Sequence, residues 1–231
     1  IKTLEDVMIK YDGTVRIASN QIIQQTYGGN GNDTTMQYEY KIGMIDMNNE
    51  NLEKNFKFTQ DELKEYKDFN AKENDAFYNS IKNMRDTVRK NFVKAKMNYI
   101  IMNNAYMLPV NITRILSTVP KNEEGTHKKV SPKYVIESIE NMLKIQNTPL
   151  ICVPESQHKD APEYALADDT IAKTILRVAL YDSLHPKVIN EKYKMSKETF
   201  DAIIEDIKTN FNNNIVEAGD MVGIIAAQSL G

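Results

Sequence analysis

Residues 79–98 read NSIKNMRDTVRKNFVKAKMN. Ile81, Met84, Val88, Phe92 and Ala95 recur every three or four positions, the spacing that lines one face of an α-helix. No Gly or Pro interrupts residues 60–98, so the whole stretch has a helical composition. It is also strongly basic, with Lys82, Arg85, Arg89, Lys90, Lys94 and Lys96 in 79–98 set against Asp86. Lys82, Arg85 and Arg89 fall on one helical face. That face is either the solvated back of an amphipathic helix or a contact surface for nucleic acid or an acidic partner. No interleaved aromatic residues point to base stacking.

C-terminal to this stretch the helical signals continue. Leu108-Pro109 breaks the pattern, 110–118 reads as a short helix and 120–130 as a polar loop. Ser131-Pro132 opens a helix, with Ser as N-cap and Pro at its first position; its apolar face is Val135, Ile136, Ile139, Met142 and Leu143. Pro149, Pro154 and Pro162 make 147–163 irregular. Helices are expected from about Ala167 to Tyr181, from about Pro186 to Tyr193, and from Lys197 to Phe211 behind a Ser196 cap. A last apolar helix starts near Met221.

N-terminal to it the signals change. Tyr38, Tyr40 and Ile42 alternate like a strand, as do Phe56 and Phe58, although 36–58 is ambiguous. Tyr27–Asp33 is a glycine-rich loop. Residues 1–27 read as β, with a hairpin turn at Asp12-Gly13 and a second turn at Ser19-Asn20; Leu4, Val7 and Met8 also fit the end of a helix. The fold class is α+β, mainly α: a helical domain with a small, hairpin-containing N-terminal portion.

The 231 residues suffice for a core without disulfides or metals. A net charge of −3 argues against a chain-wide basic coat for nucleic acid, though not against a local patch. A single cysteine, Cys152, excludes an internal disulfide or a CxxC site and fits a reducing compartment. No apolar run approaches the ~18–20 residues of a membrane span, so no membrane partner is expected. His127, His158 and His185 have no metal-ligand spacing and are expected to be solvated near loops. Asp168-Asp169 reads as helix capping, and neither it nor Glu123-Glu124 has the alternate spacing that would aim carboxylates at one Mg²⁺; no metal site is assigned. No Lys-Ser or Lys-Thr follows the Gly28-Gly29-Asn30-Gly31 glycines, so a flexible turn is the better reading than a phosphate loop. The residues alone describe a mainly helical domain with no self-contained active site and no catalytic residue.

The run EAGDMVGIIAAQSLG, Glu217–Gly231, closely resembles a segment of the largest subunit of multisubunit DNA-dependent RNA polymerases. There a P/A-G-E/D-x-V-G-x-x-A-A-Q-S-I/L-G-E-P run leads into the trigger loop. Leu4–Met8 through Tyr11–Arg16 is similar to the segment after the bridge helix. Ile22–Gln24 with Tyr27–Gly31 resembles the family's I-Q-F-x-Y-G-x-D-G, with Asn30 where an acidic residue is usual. Leu108–Ile112 with Arg114 resembles a further motif of the eukaryotic-type subunit.

The resemblance implies a foot-region segment of a eukaryotic or large-DNA-virus type enzyme, between bridge helix and trigger loop. The frequent Asn, Lys and Ile, encoded by AT-rich codons, favour a large DNA virus or an AT-rich protist. It divides the chain into 1–58 after the bridge helix, a helical foot at 59–216, and 217–231 leading to the trigger loop. It implies no cofactor in this fragment. The family's Mg²⁺ is held by an N-A-D-F-D-G-D motif absent here, and polymerisation belongs to the whole enzyme. Partners would be the other polymerase subunits and the rest of the largest subunit, with DNA and RNA bound by the whole complex. The location would be intracellular: the nucleus, or host cytoplasm or virion for a virus. Gly219, Gly223, Gln228, Ser229 and Gly231 become candidates for a trigger-loop hinge. Gly223, Ala226 and Ala227 serve equally well as a small-residue packing face. Two rival readings are a free-standing helical adaptor and a nucleic-acid binder acting through residues 79–98.

Overall fold

The computed structural model describes residues 2–94, 105–118, 129–144, 147–148 and 173–229. Cys152, His127, His158, Glu123-Glu124, Asp168-Asp169, Lys96 and Gly231 lie outside these residues.

After a four-residue helix α1 (Lys2–Glu5), three short strands form one antiparallel sheet: β1 (Met8–Ile9), β2 (Val15–Arg16) and β3 (Ile22–Gln24). Two hairpin turns of the same design connect them. In the first, Lys10 N–H donates to Thr14 O and Gly13 N–H to Lys10 O, with Gly13 at φ 76°. In the second, Ile17 N–H donates to Gln21 O and Asn20 N–H to Ile17 O, with Asn20 at φ 68°. Gly and Asn are the residues that enter the left-handed region at least cost, which is why both turns were legible. Asp12 locks the first: its carboxylate accepts from the Thr14 amide, the Thr14 hydroxyl and Arg16.

The glycine-rich loop takes a defined backbone path. Tyr27–Gly29 forms one 3₁₀ turn, Gly28, Gly29 and Gly31 all take positive φ, and Asn32 is buried and bridges to Ile215.

Strand β4 (Tyr38–Lys41) pairs antiparallel with β5 (Ala105–Leu108), in register Tyr38↔Leu108 through Lys41↔Ala105. Tyr106 and Leu108 turn into the core while Glu39, Lys41 and Met107 face outward. The helices follow: α2 (Asn49–Phe56), α3 (Gln60–Leu63), α4 (Ala71–Lys94), α5 (Ile112–Ser117), α6 (Pro132–Met142), α7 (Thr174–Leu184), α8 (Lys197–Asn213) and α9 (Gly223–Ser229).

Local sequence sets their starts. Asn48 accepts from Asn51 N–H ahead of α2, Thr59 and Glu62 form a reciprocal capping box on α3, and Ser196 accepts from Thr199 N–H on α8. Ser131 sits at the N-cap of α6 with Pro132 behind it, but its hydroxyl makes no capping bond. The strand expected from Phe56 and Phe58 is absent. Phe56 ends α2 and Phe58 lies in the turn before Thr59, and both rings are buried because the helix end and the turn face the same core. The helix expected at 186–193 is π-wound over Val188–Lys192.

One large apolar cluster gathers Ile42, Leu52 and Phe56, Ile81 and Val88 of α4, Val135 and Ile139 of α6, most of α7, and Phe200, Ile203, Ile207 and Phe211 of α8. A second, small cluster consists of Val7, Ile9 and Val15, with Leu4, Ile17, Tyr27, Val216 and Val222 packed around it. The small cluster joins sequence positions more than 200 residues apart.

Candidate functional site

The junction between the N-terminal strands and residues 214–229 holds the described hinge candidates. On the side of β1 away from β2, Gly219 N–H donates to Ile9 O (2.8 Å), Ile9 N–H to Asp220 O (3.0 Å) and Gly223 N–H to Val7 O (3.3 Å). A turn feeds this ladder: Asp220 N–H donates to Glu217 O, and the Asp220 carboxylate accepts from Glu217 N–H. A second lacing lies beside it. Asp33 N–H donates to Asn214 O (2.7 Å) and Val216 N–H to Gly31 O (3.0 Å). The buried Asn214 amide donates to Met36 O and Pro109 O.

Two glycines make the junction possible, each differently. Gly219 has φ 100°, with nothing within 4 Å of where a side chain would begin. Its requirement is conformational. Gly223 has no unusual φ, but a Cβ there would lie 1.8 Å from Leu4 O and 2.7 Å from Val7 Cβ. Its requirement is close approach of α9 to α1. Ala227 is buried in the same packing, whereas Ala226 and Gln228 face outward; Ser229 closes α9. Five exposed large apolar residues, Tyr11, Ile22, Ile23, Met221 and Ile224, lie on the segments that build this junction. The sequence reading missed Leu4, Val7 and Ile9 as partners of the glycines. Their pairing spans nearly the whole chain, and no local signal announces it.

The basic face of residues 79–98 is used internally. Arg85 is 2% exposed, donating to Met47 O (2.9 Å), Asn49 Oδ1 (2.6 Å) and the Asp86 carboxylate (2.9 Å). Arg89 donates to Ile45 O and, at 3.0 Å, to Met47 O. Both guanidiniums therefore close the C-terminal end of the single 3₁₀ turn Gly43–Ile45. Asp182 closes its other end, accepting from Met44 N–H (2.7 Å) and Gly43 N–H (3.1 Å). Burial pushes the Asp182 carboxyl up, against the pull of those amides. The expectation of a solvated or partner-binding face fails at Arg85 and Arg89, leaving Lys82 half-buried and Lys90 and Lys94 exposed. A signal was available: Arg85 lies four residues after Ile81 and three before Val88, inside the apolar stripe.

His185, expected to be solvated, is 5% exposed and packs on Phe56 with ring centroids 4.4 Å apart. Burial above all, then Lys187 and Lys192, push its pKa down to about 3, so the ring is neutral. Among the described residues no three His, Cys, Asp or Glu side chains are grouped to hold a metal ion, and no helix is long and apolar enough to cross a membrane.

Over residues 20–214 the sequence matches the family RNA polymerase Rpb1, domain 6. The chain belongs to that family. It is also 30% identical over 239 residues to the DNA-directed RNA polymerase subunit 1 of Acanthamoeba polyphaga mimivirus, an alignment covering all of this chain and 16% of that protein. The resemblance to largest polymerase subunits is thereby borne out, including its viral side. The large core falls within the Rpb1 domain 6 match. The junction is built mostly outside it, from residues before 20 and after 214.

Proposed function

We propose that this chain is the foot-region segment of the largest subunit of a DNA-directed RNA polymerase, of eukaryotic or large-DNA-virus type. In this reading it links the bridge-helix and trigger-loop regions and takes part in DNA-templated RNA synthesis without supplying catalytic groups. The supporting observation is the junction: residues 4–9 and 219–223 are hydrogen-bonded side by side, with Gly223 against the Leu4 carbonyl. A backbone ladder of this kind fixes the distance between two segments while adding no reactive side chain. The exposed apolar residues around it fit burial against the rest of a longer subunit.

The described carboxylates and histidines do not fit a Mg²⁺ site, so no chemical step through the ion is derived for this chain. The catalytic Mg²⁺, the DNA and the RNA would be bound elsewhere in the whole enzyme, by the rest of the largest subunit and the other subunits. The enzyme would work inside the cell, in the nucleus or, for a virus, in host cytoplasm or virion.

The test is Gly223→Ala in the full-length subunit of the assembled polymerase, read as nucleotide addition on a DNA template. In an unconstrained helix this change is neutral or stabilising. Here we expect addition to slow by about tenfold, roughly 1.4 kcal/mol at the transition state, with subunit assembly intact. Wild-type addition by G223A would sink the linking role.

A further inference from the structure

Asn74, Asn190 and Asn214 are all buried with their side-chain amides in use, and Asn214 is wired differently from the other two. Asn74 accepts from Phe58 N–H (3.1 Å) and donates to Phe58 O (2.9 Å). Asn190 accepts from Val130 N–H (2.9 Å) and donates to Val130 O (2.9 Å) and to Tyr66 Oη (3.1 Å). Each of these amides clasps one residue by its own peptide groups, as a strand neighbour would. Asn214, 2% exposed, spends both amide hydrogens on two separate segments, Met36 O (2.6 Å) and Pro109 O (2.7 Å). Its Oδ1 has no partner among the described residues, so all the bonding of this side chain is donation.

Its place in the fold is a boundary. Asn214 caps the C-terminal end of α8, its N–H donating to the carbonyl of Phe211, a residue of the large cluster. Met36 lies just before β4 and Pro109 directly follows β5, so the amide spans the end of that pair beyond Tyr38↔Leu108. The next residues enter the junction. Ile215 bridges to Asn32, Val216 N–H donates to Gly31 O, and Gly219 begins the ladder on β1. A helix that simply ends leaves its last carbonyls unbound and the direction of the following chain open. Here one side chain fixes that direction against both strands of the β4–β5 pair, whose Tyr106 and Leu108 are buried in the large core.

Given the linking role proposed above, we propose that Asn214 is a positioning residue for nucleotide addition. It registers the exit of α8 against β4 and β5 and so sets where residues 219–223 meet β1. It touches no substrate and acts through the backbone that follows it. Without its two donors, two buried carbonyls lose their partner and the chain between α8 and the ladder is free to shift.

The experiment uses the full-length subunit in the assembled polymerase and reads single-turnover nucleotide addition on a DNA template. Its amplitude gives the fraction of competent enzyme, and its rate constant how fast that fraction works. Asn214→Asp keeps the shape and removes both donors; Asn214→Leu removes them without adding charge. Asn190→Asp makes the same exchange at a clasp whose partners, Val130 and Tyr66, are not part of the junction. We expect both Asn214 variants to lower the rate constant about tenfold with the amplitude retained, and N190D to leave the rate constant unchanged. Amide exchange at Val216 and Gly219 should rise on the order of tenfold in N214L, with Val178 of α7 exchanging as in the wild type. A wild-type rate constant in both Asn214 variants would overturn the proposal. So would a loss of amplitude alone, which marks a merely structural residue, or an equal fall in N190D. Gly223→Ala keeps the two readings apart: if it slows addition and N214L does not, the link stands without Asn214, and if neither does, the link itself falls.

Discussion

Among the described residues the molecule has two apolar centres built on opposite principles. The large one is held by side chains: 32 buried apolar residues pack together among the described residues, and charged groups reach in to satisfy buried carbonyls and amides. The small one buries three residues and relies on backbone: the pairing of β1, β2 and β3 and the ladder onto 219–223. Packing by side chains tolerates variation of sequence and gives depth. Pairing by backbone gives exact spacing between two chain segments but little reserve of stability. The first suits a scaffold and the second a joint.

If that contrast is right, substitutions in the two centres should differ in reach as well as in size. Phe200, fully buried in α8, is the largest expected loss: Phe200→Ala should cost about 3–5 kcal/mol in urea unfolding. Arg85→Met comes next at roughly 2–4 kcal/mol, because it keeps the bulk but strips Met47 O, Asn49 Oδ1 and Asp86 of a buried partner. A cost near that of a surface arginine would remove charge from the account of the large core.

Acid provides a third probe. His185 is held near 3 in the fold against 6.5 when free, so the folded state binds fewer protons between those values. Its contribution is full above pH 6.5 and is lost as pH falls towards 3, at up to ~1.4 kcal/mol per pH unit. Unfolding free energy at pH 5 should be about 1–2 kcal/mol lower than at pH 7, and His185→Phe should flatten that slope. The smallest global effect is expected from Gly223→Ala. The unfolding free energy in urea should fall by about 1 kcal/mol, whereas amide exchange at Ile9 and Gly223 should rise on the order of tenfold. Exchange that rises equally across α7 and α8 would mean that the two centres are one cooperative unit.

Much of the helical architecture was legible because its signals are local. Ser196 ahead of Lys197, Pro132 behind Ser131, and the Asp12-Gly13 and Ser19-Asn20 turns each act within a few residues. What was misread depends on distant partners. Phe56 and Phe58 alternate like a strand because a helix end and the turn after it happen to face one core. Arg85 and Arg89 looked solvated because the carbonyls they bond lie some 40 residues earlier in the chain. Of the candidate site, the need for small residues at Gly219 and Gly223 was readable, and the strand they lean on was not. His185 followed loop residues in the sequence and a buried phenylalanine in space.

The single turn at Gly43–Ile45, gripped by Asp182 at one end and by Arg85 and Arg89 at the other, has a kinetic consequence. Asp182 lies 138 residues beyond Met44 in the chain, so one grip cannot close until a loop of that length has closed. Loop-closure entropy makes such a contact late. The turn should therefore be unformed in the folding transition state, and Asp182→Asn should speed unfolding while leaving the refolding rate almost unchanged. A feature that looks like a static clasp then acts as a latch, the last part to shut and a governor of how long the native state survives.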